Sequence, residues 1–170
     1  MKFSDIVGQN HLKNHLVNSV QKGRIPHAQL FIGPEGSGTL AMALAYAQYI
    51  ICNNNGNDNE GGSAACNLKF SQLQHPDLHF VYPVATTDSV KSNPTSDDFL
   101  SSWIDFLKET PYASVNDWYE TIGIQKKQGN ISVNEAASIL KKLILKPFEG
   151  GYKVMIIWMA EKMNTEAANK

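Results

Sequence analysis

The stretch LFIGPEGSGTLAMALAYA, Leu30 to Ala47, decides how this chain is read. A strand-like run, Leu30-Phe31-Ile32, enters a glycine-rich turn from Gly33 to Gly38, and a helix-like run follows. That is the layout of a phosphate-binding loop, whose nucleotide-hydrolysing form reads G-x-x-x-x-G-K-[ST]. Gly33, Gly36 and Gly38 let backbone N–H groups converge on an anion. The helix beginning at Thr39 aims its N-terminus at the same point. The chemistry then stops: Thr39 stands at the lysine position and Leu40 at the magnesium-binding hydroxyl. Moving the register by one residue makes Thr39 the hydroxyl but deletes the lysine. No Lys or Arg lies between Ile25 and Leu68 to replace it.

Other readings of the turn fit less well. A dinucleotide fingerprint needs G-x-G-x-x-G with an acid about 20 residues on; the order here is G-x-x-G-x-G, and no such acid follows. A nucleophile elbow needs G-x-S-x-G, whereas Ser37 sits in EGSGT. The plainest alternative is a tight strand-to-helix turn without a ligand.

Working outward, Leu12, Leu16, Val17 and Val20 recur at helical spacing over 9–22, and Gly23 can end that helix. Ala28 to Ile32 reads as a short buried strand. Thr39 to Cys52 carries no charge, so this helix should lie between layers. NNNGNDNEGGSAA, residues 53–65, is nearly free of apolar side chains and reads as a flexible surface loop. LHFVYPV, Leu78 to Val84, reads as a second strand that Pro83 ends or places near an edge. Residues 85–97 are polar turn material, and Asp98–Glu109 and Asn116–Ile122 read as helices. Ile131 to Pro147 reads as a helix in which Ser132 and Glu135 form a capping box. YKVMIIW, Tyr152 to Trp158, reads as a strand buried on both faces. Strands alternating with helices imply an α/β layered fold, with the glycine-rich turn at the carboxyl end of its first strand. AEKMNTEAANK reads as a helix just starting, capped by Asn164 or Thr165; the chain is expected to be a piece of a longer protein.

Composition narrows the function classes. The chain has 170 residues, enough for one domain with a small appendage, and 42% hydrophobic residues to build a core. A formal charge of −1 and lysines in pairs argue against an autonomous nucleic-acid binder. No signal peptide and no membrane-length apolar run are visible, so a cytoplasmic protein with free thiols at Cys52 and Cys66 is expected.

A second hydrolase signature would be a hydrophobic strand ending in an acid pair. The strand VMIIW is present, but Trp158-Met159 holds the acid positions and Glu161 comes too late. Both halves of the magnesium chemistry are missing, so hydrolysis is not expected.

FSDIVGQNHLKNHL, GRIPHAQLFIGPEGSG, HPDLHFV and GGYKVMIIWMAEKMNTEAANK occur in the order found in the clamp-loader AAA+ family, which this chain resembles over most of its length. Arg24, His27, Ala28 and Phe31 fall at matching places. The departures at Thr39, Leu40, Trp158 and Met159 put it with the delta-prime branch, the stator, and not with the motor subunits. The resemblance implies a P-loop-type parallel sheet flanked by helices over 1–170. It also implies a decayed zinc-module-like insertion at 53–66 and a helical insertion at 85–130. It implies a non-catalytic stator of the bacterial DNA polymerase III clamp loader. The partners would be the tau/gamma motor and delta subunits, with sliding clamp and primer–template DNA met only in the assembled complex, and no membrane. Gly33, Gly36, Ser37, Gly38 and Thr39 would be a vestigial phosphate loop that takes ATP or ADP weakly or not at all. The family's trans-acting arginine would lie beyond Lys170; Arg24, the one arginine here, is not in that place.

Two alternatives stay open: a module that binds but does not hydrolyse nucleotide, with Val7-Gly8-Gln9 completing its pocket, and an active ATPase. The family's zinc insertion carries four cysteines, of which Cys52 and Cys66 would be remnants, with Ala64 and Ala65 where further ligands would fall. His75 and His79, about 13 Å apart if extended, cannot both join them on one ion; zinc is not expected. His27 is expected to pack or hydrogen-bond.

Overall fold

A computed structural model describes residues 1–53, 62–149 and 151–169. It is an α/β structure built on a small parallel sheet. Strand β1 (Leu78–Val81) pairs with β2 (Val154–Ile157) in the register Leu78↔Val154, Phe80↔Ile156. The helices are α1 (Asn10–Gln21), α2 (Thr39–Cys52), α3 (Ala64–Ser71), α4 (Leu100–Glu109), α5 (Val115–Thr121), α6 (Val133–Ile144) and α7 (Thr165–Ala168).

Helix α2 is the centre of the fold. Its uncharged sequence lets it bury residues on every side, from Leu40 and Ala41 through Ile51 and Cys52. It packs against α1, α3, the N-terminal 3-10 turn Phe3–Asp5 and β2. Helix α1 ends as its sequence suggests: Gly23 takes φ +63°, and the Arg24 N–H returns to the Ser19 carbonyl. Helix α7 is capped by Asn164, whose Oδ1 accepts from the Ala167 N–H at 2.8 Å.

Four expectations are corrected. Residues 28–32 form no strand: Leu30 and Ile32 are 76% and 84% exposed, and no described strand pairs with them. Strand-like side chains cannot make a strand without a neighbour to take the backbone hydrogen bonds. Strand β2 is not buried on both faces, because Ile157 is exposed. The Ser132–Glu135 capping box is only half formed: Ser132 Oγ accepts from the Glu135 N–H, but the Glu135 carboxylate turns inward to the Ser96 N–H at 2.6 Å. The fourth correction concerns the cysteines. Cys52, at the end of α2, and Cys66, in α3, are not free thiols but a disulfide, with Cα atoms 5.6 Å apart. Helix α3, capped by Ser63, brings Cys66 beside the end of α2. A bridge closing a loop of this length restrains the unfolded chain by about 3 kcal/mol. Of the expected flexible loop at 53–65, residues 54–61 lie outside the described residues.

Residues 85–130 are joined to the sheet by an aromatic core. Trp103 of α4 stacks on Tyr82 at 4.1 Å between ring centroids. Trp118 of α5 meets both rings edge-on at 5.0 Å. All three are fully buried, and the Trp118 indole N–H donates to the Pro83 carbonyl at 2.9 Å. Behind them Tyr82 exchanges backbone and hydroxyl hydrogen bonds with buried Ser96, the residue that Glu135 holds from the other side.

The HPD stretch is a second fastening. Asp77 is 1% exposed, and its carboxylate accepts the N–H groups of Phe148 at 2.6 Å and Glu149 at 3.0 Å. That ties the chain entering β2 to the start of β1. Buried His75 accepts the Asp77 N–H at Nδ1, and its Nε2 lies 3.2 Å from a Glu149 oxygen. Lys69 of α3 pairs with the same carboxylate and holds it below its usual pKa range.

Candidate phosphate-loop site

The glycine-rich segment forms a turn, but it follows no strand, since residues 28–32 form none. The Ser37 N–H donates to the Pro34 carbonyl at 3.1 Å, with Gly36 at φ +76° inside the turn. Gly38, at φ +84°, is the residue from which α2 departs, and its carbonyl accepts the Met42 N–H at 2.8 Å. Gly33 is required for another reason: a β-carbon there would lie 2.5 Å from Ser37 Oγ and 2.9 Å from Thr39 Cγ2. The α2 N-terminus has no side-chain cap, so its first N–H groups are the turn's offering to an anion.

Thr39 is half-buried and Leu40, at the hydroxyl position, is packed into the core. Ser37 Oγ is buried without a hydrogen-bond partner. An open depression of about 630 Å³ lies beside the turn, bounded by residues including Gln9, His15, Phe31, Gly33, Ser37 and Thr39. Its described lining contains no lysine, arginine, aspartate or glutamate. Gln9 reaches across and donates from Nε2 to the Ser37 carbonyl at 3.0 Å, joining the segment before α1 to the turn. Val7, next to it, is almost fully exposed.

At the acid position Trp158 leaves β2 with its N–H on the Val81 carbonyl at 2.8 Å, and its indole is buried. The ring lies 5.2 Å from Trp103 and 6.2 Å from Phe106, so the indole that replaces an acid belongs to the aromatic core made with α4. Met159 follows in a left-handed conformation at φ +56°, and Glu161 is exposed in the 3-10 turn Ala160–Lys162.

The remaining candidates fall elsewhere. Cys52 and Cys66 are joined to each other, Ala64 and Ala65 lie in α3, and His75 belongs to the Asp77 fastening. His79 is half-buried in β1; burial, with Lys142 and Lys153 nearby, lowers its pKa. His27 is exposed, and Arg24 sits in the terminator of α1. One residue at the turn escaped sequence reasoning. Tyr112, from the link between α4 and α5, lies against Gly38: a β-carbon on that glycine would be 2.6 Å from Tyr112 Cε1. A contact across 74 positions has no local signal.

The chain is 38% identical over 73 residues to the DNA polymerase III subunit delta' of Bacillus subtilis, covering 40% of this chain and 20% of that protein. It is 40% identical over 53 residues to the gamma/tau subunit of Mycoplasma pneumoniae, covering 31% of this chain and 8% of the relative. It is 42% identical over 50 residues to the tau subunit of Escherichia coli, covering 29% and 8%. The matched segments thus cover a fifth or less of the length of these relatives. No solved structure matches it. The model of the family described as DNA polymerase III, delta subunit, matches residues 8–170, nearly the whole chain, and the chain belongs to that family.

Proposed function

We propose that this chain is the stator-type, delta-prime-like part of a bacterial clamp loader, a subunit that supports ATP-dependent loading of the sliding clamp without turning over ATP itself. One observation carries the reading. The described lining of the hollow beside the glycine-rich turn has no lysine, arginine or carboxylate, and the acid position is filled by a buried indole. Phosphoryl transfer depends on a lysine at the phosphates and on carboxylate-held magnesium, and a charge-assisted hydrogen bond is worth about 1.5–3 kcal/mol. Nucleotide binding is then weak or absent, and Gly33, Gly36, Ser37, Gly38 and Thr39 form a vestigial loop. Zinc has no part in this reading, since Cys52 and Cys66 are spent on each other.

In this reading residues 1–170 belong to a P-loop-type AAA+ domain, with β1 and β2 part of its parallel sheet. Residues 53–66 are the decayed metal module, and 85–130 are a helical insertion. The partners are the tau/gamma motor and delta subunits. Primer–template DNA and the clamp are met only through the assembly, in keeping with the formal charge of −1, and the setting is the bacterial cytoplasm. Among the described residues no helix is long and apolar enough to cross a membrane.

The test is a titration of the protein with a fluorescent ATP analogue and Mg²⁺, paired with a phosphate-release assay. No saturable binding in the micromolar range and no turnover are expected. Turnover by the unaltered protein that a Gly38 substitution abolishes would overturn the reading.

A further inference from the structure

We infer that Tyr112 is the residue that closes the glycine-rich turn against phosphate: the insertion at 85–130 carries its own plug for the loop. This deepens the non-catalytic reading and rests on it.

The ring is 41% exposed, and the backbone that carries it is fixed. Tyr112 sits at the tip of a turn in which the Ala113 N–H donates to the Thr110 carbonyl at 3.1 Å, with Pro111 fixing the preceding backbone angle. On one side Thr110 closes α4, its N–H and hydroxyl both donating to the Phe106 carbonyl at 2.9 and 3.2 Å. On the other side Ser114 and Asp117 make a reciprocal cap that opens α5. Both helices are held in the aromatic core by Trp103, Phe106 and Trp118, which are buried. The tip therefore projects from two anchored helices.

What it projects onto is the last glycine of the loop. A β-carbon at Gly38 would meet Tyr112 Cε1 at 2.6 Å, Cδ1 at 3.3 Å and Cζ at 3.6 Å, so the ring lies in contact with the glycine backbone. Gly33 and Gly36 are exposed, while Gly38 is buried. An anion held by the α2 N-terminus needs its oxygens within hydrogen-bond distance of those first N–H groups. An aromatic ring against Gly38 brings apolar surface to that place and excludes the water and counter-ions a phosphate would bring. The same segment thus meets both ends of the missing chemistry: Trp103 and Phe106 pack on the indole at the acid position, and Tyr112 lies against the last glycine of the loop.

The experiment removes the ring in the full chain and reads the loop directly. Amide hydrogen exchange at Gly38 and Thr39 is expected to rise at least tenfold in Tyr112→Ala and to stay at the wild-type rate in Tyr112→Phe, which keeps the ring. In a Thr39→Lys background, which restores a cation, Tyr112→Ala is expected to strengthen binding of a fluorescent ATP analogue at least tenfold. Unchanged exchange in Tyr112→Ala overturns the proposal. So does equal analogue affinity with and without the ring. Protection of α4 and α5 in the same exchange data shows whether the variants are folded. ATP turnover by the unaltered chain would instead sink the non-catalytic reading, a result separable from the exchange measurement.

Discussion

Residues 78–82 and residues 28–32 are alike on paper: each is a short apolar run of strand-forming side chains. In the molecule Leu78, Phe80, Val81 and Tyr82 are buried, and β1 hydrogen-bonds to β2 along its length. Leu30 and Ile32 stand in solvent, while Phe31 turns inward, its ring 6.2 Å from that of Tyr46 in α2, and Gln29 Nε2 donates to the Tyr46 hydroxyl at 3.1 Å. The difference is not in the segments but in what stands next to them. β1 has a partner strand on one edge and, just past its end, an aromatic core that receives Tyr82. The other run has a helix beneath it and nothing described at its edges. Strand character is conferred by neighbours at least as much as by side chains.

The comparison can be broken most forcefully at Trp103. This indole is fully buried against Tyr82, Phe106, Trp118 and Trp158. Truncation to Ala should lower unfolding free energy by about 3–5 kcal/mol, measured by urea denaturation. A loss below about 1 kcal/mol would mean that α4 and α5 do not support the sheet.

Glu135 sharpens the same side through pH. Its carboxyl is buried, which raises its pKa from 4.5, while the Ser96 N–H opposes the shift. A carboxyl raised on folding contributes stability that is full below its unfolded value and lost as pH rises through its folded value. Glu135→Gln keeps an acceptor for Ser96 and removes the charge. Its melting temperature should exceed that of the wild type by a few degrees near neutrality, and the gap should close as pH falls toward 4.5. A gap that widens on acidification would show that the ionised form is the favoured one.

The smallest effect is expected on the bare side. Leu30→Ser and Ile32→Ser, at exposed positions, should each change stability of the isolated chain by less than about 0.5 kcal/mol. A substantial loss in the same urea assay would show that these side chains are covered in solution.

Much of this arrangement was legible from residue order. An alanine-rich run without charge announced α2, and Asn164 or Thr165 announced the start of α7, of which Asn164 is the cap; Gly36 and Gly38 take the positive φ that a glycine-rich turn favours. What escaped has a common cause. Helix α3 was hidden because its first residues, Ala64 to Cys66, were read as the remains of a metal module. The inward swing of Glu135 depends on Ser96, 39 positions away, and the cover over Gly38 depends on Tyr112. Local pattern reports the tendency of a segment; it holds no record of which distant group will take up a hydrogen bond or fill a gap.

The bridge between Cys52 and Cys66 has a practical corollary. The two ends of the segment between them are held with their Cα atoms 5.6 Å apart. The free energy of closing such a segment grows only with the logarithm of its length. An epitope or a small reporter domain with adjacent termini can therefore be spliced between these cysteines while α2, α3 and the sheet keep their places.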